Sequence, residues 1–141
     1  MAVTLRDFIS GDEVLTIESH ATLGAAARQM WNRSVGAAVV VEEDEIVGIF
    51  TERDLLRAIA DSRHPDQGQV QSYMTPDPVT LPSDHSPSEA AQIMTARRFR
   101  HIPVVDDGEL VGIVSIGDVV KHRIVEMEQE SDALKTYIQT A

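Results

Sequence analysis

Residues 101–118 read HIPVVDDGELVGIVSIGD, and this stretch decides the fold. It predicts two short strands around a tight turn, followed by a helix. Asp107-Gly108 is a strong two-residue hairpin signal because glycine accepts a positive φ at little cost. The apolar residues on either side of that turn are the predicted strands. Ser115 is the predicted N-cap of the helix, with Asp118 three residues further on.

The same pattern stands 64 positions upstream, where residues 37–54 read AAVVVEEDEIVGIFTERD. Thr51 and Asp54 match Ser115 and Asp118 of the later copy. The repeat sets the fold assignment because each copy is one structural unit. Each copy reads as strand, helix, strand, strand, helix, and a half of about 60 residues buries little apolar surface alone. We therefore predict an α/β fold in which two β-α-β-β-α units, related by pseudo-twofold symmetry, pack through their sheets.

Local signals give the remaining elements of the first copy. Residues 4–9 predict a helical turn that Thr4 caps and Gly11 ends, and residues 14–17 an extended segment. Apolar spacing predicts a helix over 22–33, strands over 38–42 and 45–50, and a helix over 51–62. The inward face of that last helix is predicted to hold Leu55, Leu56 and Ile59.

The second copy begins after a polar linker at residues 63–69. Residues 70–74 match the first helical turn, and 79–81 match the first extended segment. Ser86 is the predicted N-cap of a helix that runs to about Arg97, with Glu89 completing a capping box. The last helix is predicted from Ser115 to about residue 130, and its inward residues are Val119, Val120, Ile124 and Met127. The expected division is a first motif at 1–66, a second at 67–130 and a helical extension at 131–141.

The composition excludes several classes of protein. With 43% hydrophobic and 25% charged residues, the 141-residue chain is typical of globular proteins. Its net charge of −11 argues against nucleic acid as a partner. It has no cysteine, which excludes disulfides and zinc-thiolate sites. Neither a secretion signal nor an apolar run of the ~20 residues that a membrane helix needs is found, so we expect a cytoplasmic protein with no membrane partner.

These two copies resemble a CBS-domain pair, also called a Bateman module. The residues that carry the resemblance are Arg100-His101-Ile102-Pro103-Val104-Val105-Asp106, Gly112-Ile113-Val114-Ser115-Ile116-Gly117-Asp118 and Gly48-Ile49-Phe50-Thr51-Glu52-Arg53-Asp54. The first copy departs from the pattern at 35–39. The resemblance covers residue 5 to about residue 123 and is closest to the stand-alone members of the family. It implies a regulatory sensor that binds adenosine-containing ligands such as AMP, ADP, ATP, NAD or S-adenosylmethionine.

Asp54 and Asp118 are the candidate ribose-binding residues. An ionised carboxylate only accepts hydrogen bonds, which suits the two hydroxyls of a ribose. The resemblance places ribose recognition on these two residues and nucleotide contacts on Thr51 and Ser115. The alternative is helix capping alone, since a hydroxyl followed by a carboxylate at this spacing also caps a helix without any ligand.

A basic run and two apolar segments complete the candidate site. The resemblance implies that Arg100 and His101 contact phosphate, with Arg53 as the candidate of the first copy, although a basic run is also typical of a solvated face. The implied adenine slot borrows from both copies. Its residues are Val35, Gly36, Ala37, Thr16 and Ile17 facing Asp118, and Phe99 with the adjoining Arg100 and His101, Thr80 and Leu81 facing Asp54.

Three classes of function stay open. The first is a regulatory module that binds an adenine nucleotide, and the second is a structural dimerisation module with vestigial ligand sites. The third, an enzyme, is disfavoured because no metal, phosphate-loop or nucleophile motif is present. The acidic run 42–45 sits on a turn and favours a solvated face over a metal site. We expect a homodimer through the apolar stripe at 120–138, an effector protein of unknown identity and, for Trp31, a packing role or, if it is exposed, a subunit interface.

Overall fold

The computed structural model describes residues 3–9, 13–61 and 64–140. Two short 3-10 turns cover Leu5–Phe8 and Val70–Ser72. The strands are β1 (Thr16–Glu18), β2 (Ala37–Glu42), β3 (Glu45–Thr51), β4 (Thr75–Pro76), β5 (His101–Asp106) and β6 (Glu109–Ser115). The helices are α1 (Leu23–Arg33), α2 (Glu52–Ala60), α3 (Pro87–Arg97) and α4 (Ile116–Thr140). The predicted tandem α/β architecture is confirmed, while the predicted ends at Gly11 and Ser62 lie outside the described residues.

The strands form two sheets, and β4 of the second copy completes the sheet of the first. In the first sheet the order is β1-β2-β3-β4, with β1 parallel to β2 and the other pairs antiparallel. The second sheet is the β5-β6 hairpin. The strand expected at 79–81 is reduced to Leu81, whose N–H donates to the Pro103 carbonyl at 3.2 Å and whose carbonyl accepts from the Val105 N–H at 2.9 Å. Pro82 and Pro78 flank this segment, and proline cannot donate to a strand ladder.

The internal repeat is also seen in the backbone, where matching residues of the two copies have positive φ. Ser34 and Arg98 end α1 and α3 in the left-handed region, with φ of 54° and 59°. The hairpin turns at Glu43-Asp44 and Asp107-Gly108 also have positive φ. All of these pairs are 64 positions apart, so the sequence offset is a structural offset.

Each copy supplies a leading turn that packs on the other copy. Leu5 is fully buried in the core of the second copy, and Val70 is fully buried in the core of the first. Ile9 and Met74 lie over Gly112 and Gly48, where a Cβ atom would come within 2.7 Å of Ile9 Cγ1 and 2.5 Å of Met74 Sδ. This exchange binds the two small halves into one unit.

Several predicted inward residues are exposed in the single chain. On α2 the buried residue is Ala58, whereas Leu56 and Ile59 face solvent. On α4 Val119 is buried, and Val120, Ile124 and Met127 are exposed. Trp31 is 84% exposed, so the packing role expected for it is wrong. These helices present apolar faces that periodicity assigned to a core within one chain.

Two helix ends differ in detail from expectation. Ser86 caps α3, accepting the Glu89 N–H at 3.2 Å. The Glu89 carboxylate contacts His85 rather than returning to the Ser86 backbone, because that imidazole lies one turn away on the same side. The last helix is continuous to Thr140, so the helix predicted to about residue 130 and the helical extension predicted after it form one element. In the described part of the chain, no helix is both long and apolar enough to cross a membrane.

Candidate functional site

A cavity of about 890 Å³ is lined by residues from both copies. The start of α2 and the start of α4 both border it, so the two candidate carboxylates open onto the same space. The predicted residues that line it are Asp54, Asp118, Thr51, Ser115, Arg53, Arg100, His101, Val35, Gly36, Ala37 and Phe99. The sequence predicted two clefts, one facing each carboxylate, whereas the structure has both carboxylates on one cavity.

Asp54 is fixed by a capping box at the start of α2. The Thr51 N–H donates to Asp54 Oδ2 at 2.9 Å, and the Asp54 N–H donates to Thr51 Oγ1 at 3.3 Å. The Thr51 hydroxyl lies 3.1 Å from the same Oδ2. Asp54 Oδ1 lies 3.9 Å from an Arg57 nitrogen, and its side chain is 13% exposed. The carboxylate is therefore held in place with one oxygen committed to the cap.

Asp118 repeats this geometry at the start of α4. The Ser115 N–H donates to Asp118 Oδ2 at 2.9 Å, and the Asp118 N–H donates to Ser115 Oγ at 3.1 Å. Among the described residues, none hydrogen-bonds to Asp118 Oδ1. Capping thus occupies one oxygen of each carboxylate. The other oxygen of Asp118 is available to a donor in the cavity, whereas the other oxygen of Asp54 lies near Arg57. Capping and ribose binding are compatible on this geometry.

Backbone hydrogen bonds fasten the start of each hairpin beside the carboxylate of the same copy. The Glu52 N–H donates to the Gly36 carbonyl at 2.9 Å, and the Ile116 N–H donates to the Arg100 carbonyl at 2.8 Å. In the strand register, Ala37 pairs with Thr51 and His101 pairs with Ser115. The start of each hairpin is thereby fastened beside the start of the helix that follows it. This places Arg100 and His101 on the same wall as Ser115 and Asp118.

The cavity concentrates positive charge in an acidic protein. Four of the twelve Lys and Arg residues line it, which are Arg33, Arg53, Arg98 and Arg100. They face four carboxylates at the same cavity, Glu13, Glu52, Asp54 and Asp118. The cavity is therefore close to neutral while the whole chain carries −11. An anion meets less repulsion here than over the rest of the surface.

His101 is the titratable group that the site perturbs most clearly. Burial lowers the pKa of His101 from its ordinary 6.5, because the charged imidazolium loses hydration. Asp118, Glu52 and Asp54 oppose this shift, and Arg100 adds to it. His101 is therefore neutral near pH 7 in the free protein, with acidic neighbours ready to stabilise a proton.

Four predicted slot residues lie away from the cavity. Ile17 and Leu81 belong to the cores of the first and second copies. Thr16 and Thr80 are exposed and do not line the cavity. The extended segments meet the cavity earlier in the chain, at Val14, Leu15 and Pro78. The parallel pairing of Thr16 with Val39 sets this position, and periodicity alone does not reveal it.

Other lining residues were not singled out from sequence. Ile49 and Ile113 come from matching positions of β3 and β6. Phe8 and Ile9 come from the leading turn of the first copy. The 64-residue offset pairs the two isoleucines and was a usable signal, whereas the leading turn had no local signature of a site. Within the described part of the chain, no cluster of three or more His, Cys, Asp or Glu side chains is arranged to hold a metal ion.

Comparison with known proteins matches the CBS domain family to residues 3–61 and 70–124. The chain is 40% identical over 124 residues to the mitochondrial CBS domain-containing protein CBSX3 of Arabidopsis thaliana, covering 84% of this chain and 60% of that protein. It thus spans less than two thirds of that relative. The solved structure of the CBS-domain containing protein ATU1752 from Agrobacterium tumefaciens is 40% identical with a TM-score of 0.74, covering 84% of this chain and 95% of that one.

A second solved structure carries a nucleotide. The CBS domain protein PAE2072 from Pyrobaculum aerophilum, solved in complex with AMP, is 28% identical with a TM-score of 0.78. The likeness covers 92% of this chain and 99% of that one.

Proposed function

The chain belongs to the CBS-domain family, and from this membership we propose that it is a regulatory module that binds an adenosine-containing ligand, with AMP as the first candidate. The observation that carries the proposal is the pairing of Asp54 and Asp118 at one cavity, each with one carboxylate oxygen outside the cap at a helix start; on Asp54 that oxygen lies 3.9 Å from an Arg57 nitrogen. The capping hydrogen bonds orient both groups in advance, so a ligand orders little on binding.

Each part of a nucleotide has a chemical partner in the cavity. Asp118 and Asp54 accept from ribose hydroxyls, and Thr51 and Ser115 add hydroxyl groups at the helix starts. Arg100, His101 and Arg53 attract phosphate, and the N–H groups of a helix start add to this. The apolar residues of the slot are Val35, Ala37 and Phe99, with Gly36 leaving room between them.

AMP comes first among the ligands because the related PAE2072 was solved with AMP. ADP, ATP, NAD and S-adenosylmethionine remain competing ligands of the same class. Arg33, Arg53, Arg98 and Arg100 give the cavity more cations than one phosphate needs, which suits ligands with further phosphates too. The two sites differ, since Arg53 precedes Asp54 whereas Gly117 precedes Asp118. We therefore expect two unequal binding events.

The wider role follows from binding rather than catalysis. The module acts without a reaction of its own and without a metal, and it transmits occupancy to an effector protein. It forms a homodimer through the exposed apolar faces of α2 and α4, including Leu56 and Ile59. We assign residues 1–66 and 67–130 to the two motifs and 131–141 to an extension. Its compartment is the cytoplasm, which fractionation tests against the mitochondrial location of its Arabidopsis relative.

Calorimetry with AMP, ADP, ATP, NAD and S-adenosylmethionine tests the proposal directly. Saturable binding of at least one ligand, lost with guanosine monophosphate as the matched control, is the expected result. The structural alternative, a dimerisation module with vestigial sites, predicts no saturable binding of any of them. Both alternatives have physical support, because each carboxylate already serves as a cap.

A further inference from the structure

The second half of α4 lies beyond the part of the helix that packs on the rest of the chain. Near that start, the ring of His122 packs edge-on against the ring of Phe8, with centroids 5.4 Å apart. Beyond this point the helix continues to Thr140 with exposed side chains over most of its length. Six apolar side chains on it are between 48% and 65% exposed, and these are Val125 and a set of five made up of Val120, Ile124, Met127, Leu134 and Ile138.

The set of five, together with Ser131, follows a heptad pattern. The successive positions 120, 124, 127, 131, 134 and 138 alternate steps of four and three residues. The d positions are then Val120, Met127 and Leu134, and the a positions are Ile124, Ser131 and Ile138. β-Branched residues at a with leucine at d favour parallel two-stranded coiled coils. Ser131 is a single small polar residue at a, where a polar group fixes register at some cost in stability.

The flanking charges select the orientation of a partner helix. Arg123 and Glu130 occupy g positions, and Glu128 and Lys135 occupy e positions. In a parallel pair, g meets the e position five residues later on the partner. Arg123 would then face the partner's Glu128, and Glu130 would face the partner's Lys135. Both contacts are between opposite charges, although Arg123 also reaches Glu126 within its own helix at 3.2 Å.

An antiparallel pair brings like charges together. Full overlap of the apolar positions places Ile124 opposite the partner's Leu134. Glu128 would then meet the partner's Glu128, and Glu130 would meet the partner's Glu130. Lys121 would meet the partner's Lys135. Like charges on neighbouring helices are destabilising. The charges that support a parallel pair therefore oppose an antiparallel one.

We infer that residues 120–138 of α4 bind the same segment of a second copy as a parallel, in-register two-stranded coiled coil. The inference rests on the proposed homodimer and adds its surface, orientation and register. A coil of fewer than three heptads is short for an isolated peptide. Here the folded body fixes the start of α4, and parallel packing joins second motif to second motif. The dimer requires no nucleotide.

Single cysteines test the orientation in the full chain, which has no cysteine of its own. Ile124→Cys places a thiol at an a position, and Val125→Cys is a matched control at the adjacent b position with similar exposure. In the parallel coil, the two thiols introduced by Ile124→Cys face each other within reach of a disulfide. This variant should therefore crosslink roughly tenfold faster than Val125→Cys on mild oxidation. In an antiparallel coil the two copies of position 124 are about 15 Å apart along the axis.

Different outcomes contradict the parallel orientation and the dimer itself. Equal crosslinking rates at the two positions, or preferential crosslinking of an Ile124→Cys chain to a Leu134→Cys chain, overturn the parallel coil. A monomer at tens of micromolar in light scattering overturns the dimer itself. Unchanged AMP binding in such a monomer leaves the proposed function standing, so the two failures are distinguishable.

Charge-reversal substitutions test the same parallel pairing without introducing a cysteine. Arg123→Glu or Glu128→Arg alone should weaken dimerisation roughly tenfold, since each creates two like-charge contacts in the dimer. The double substitution restores opposite charges and should recover most of the loss. Additive weakening in the double variant contradicts the pairing.

Discussion

Asp54 and Asp118 each commit one carboxylate oxygen to a helix cap, and this division decides how the residues are tested. An asparagine at either position keeps one oxygen acceptor for the cap and turns a donor toward the ligand. An alanine removes both the cap and the ligand contact. Comparing the two substitutions therefore separates stability from recognition at a single position.

We predict that Asp118→Asn weakens AMP binding about 100-fold, because two hydrogen bonds to a charged acceptor contribute roughly 3 kcal/mol together. The unfolding temperature of the free protein should change little. Asp118→Ala should lose affinity equally and also lose ~1 kcal/mol of stability with the cap. Titration calorimetry and thermal unfolding measure the two effects. Asp107→Asn, on an exposed hairpin turn, is the control.

If Asp118→Asn leaves affinity unchanged while Asp118→Ala destabilises the free protein, the carboxylate is only a cap. The same pair of substitutions at Asp54 should affect the other of the two binding events. One event lost to both substitutions would mean a single shared ligand.

His101 predicts a pH dependence. Its pKa lies below the ordinary 6.5 in the free protein because of burial, and a bound phosphate would raise that pKa again. Protonation then accompanies binding, so AMP affinity should rise as the pH falls through and below 6.5. Phosphate itself titrates near pH ~6, so His101→Asn is compared at every pH. Parallel profiles for the two proteins would remove His101 from the site.

The lowered pKa of His101 has the opposite effect on folding stability. A pKa lowered by folding means that the unfolded chain binds the proton more readily, so the free energy of unfolding falls as the pH drops below 6.5. Ligand affinity and the stability of the free protein are thus expected to move in opposite directions over this range.

At the scale of elements, the crossed leading turns are the feature that joins the halves. Leu5 belongs to the leading turn of the first copy but is buried in the core of the second. Backbone hydrogen bonds from Leu5 and Arg6 to His85 and Ser83, at 2.9 and 3.0 Å, fasten the turn there. Local changes in this turn should therefore be felt by the distant copy.

We predict that Leu5→Ala lowers the free energy of unfolding by about 2–5 kcal/mol, since it removes a fully buried side chain. Hydrogen exchange should show the loss in β5 and β6 first. Val3→Ala, at an exposed position two residues earlier, is the control and should change stability little. Protection lost first in β2 and β3 would contradict the crossed arrangement.

Local signals account for the elements that the sequence predicted well. Thr51, Ser86 and Ser115 cap helices where their hydroxyls suggested, and both hairpin turns have positive φ at the predicted polar residues. Position along a strand depends on a partner elsewhere in the chain. This is why Thr16, Ile17, Thr80 and Leu81 were expected at a cavity that Val14, Leu15 and Pro78 line instead.

Helix faces were predicted less well for a related reason. Periodicity identifies an apolar face but not which surface covers it. Leu56, Ile59 and Ile124 therefore read as inward although they are exposed in the single chain. The pattern was correct, and its partner is proposed to lie in a second copy.

At the scale of the whole molecule, the cavity is nearly neutral although the chain carries a net charge of −11. The attraction of Arg53 and Arg100 for phosphate is screened by salt, with a Debye length of about 10 Å at 0.1 M. AMP affinity should therefore fall as salt rises, whereas adenosine affinity should not. Calorimetry at low and high salt measures this difference, and equal salt dependence for the two ligands would contradict it.

The most direct test of the central claim is an AMP titration of the unaltered protein beside the double variant Asp54→Asn, Asp118→Asn. We predict a saturable isotherm for the unaltered protein, weaker binding of adenosine than of AMP, and no measurable AMP binding by a folded double variant. Equal AMP affinity in the two proteins, or no saturable binding by the unaltered one, would contradict a nucleotide site built on these carboxylates.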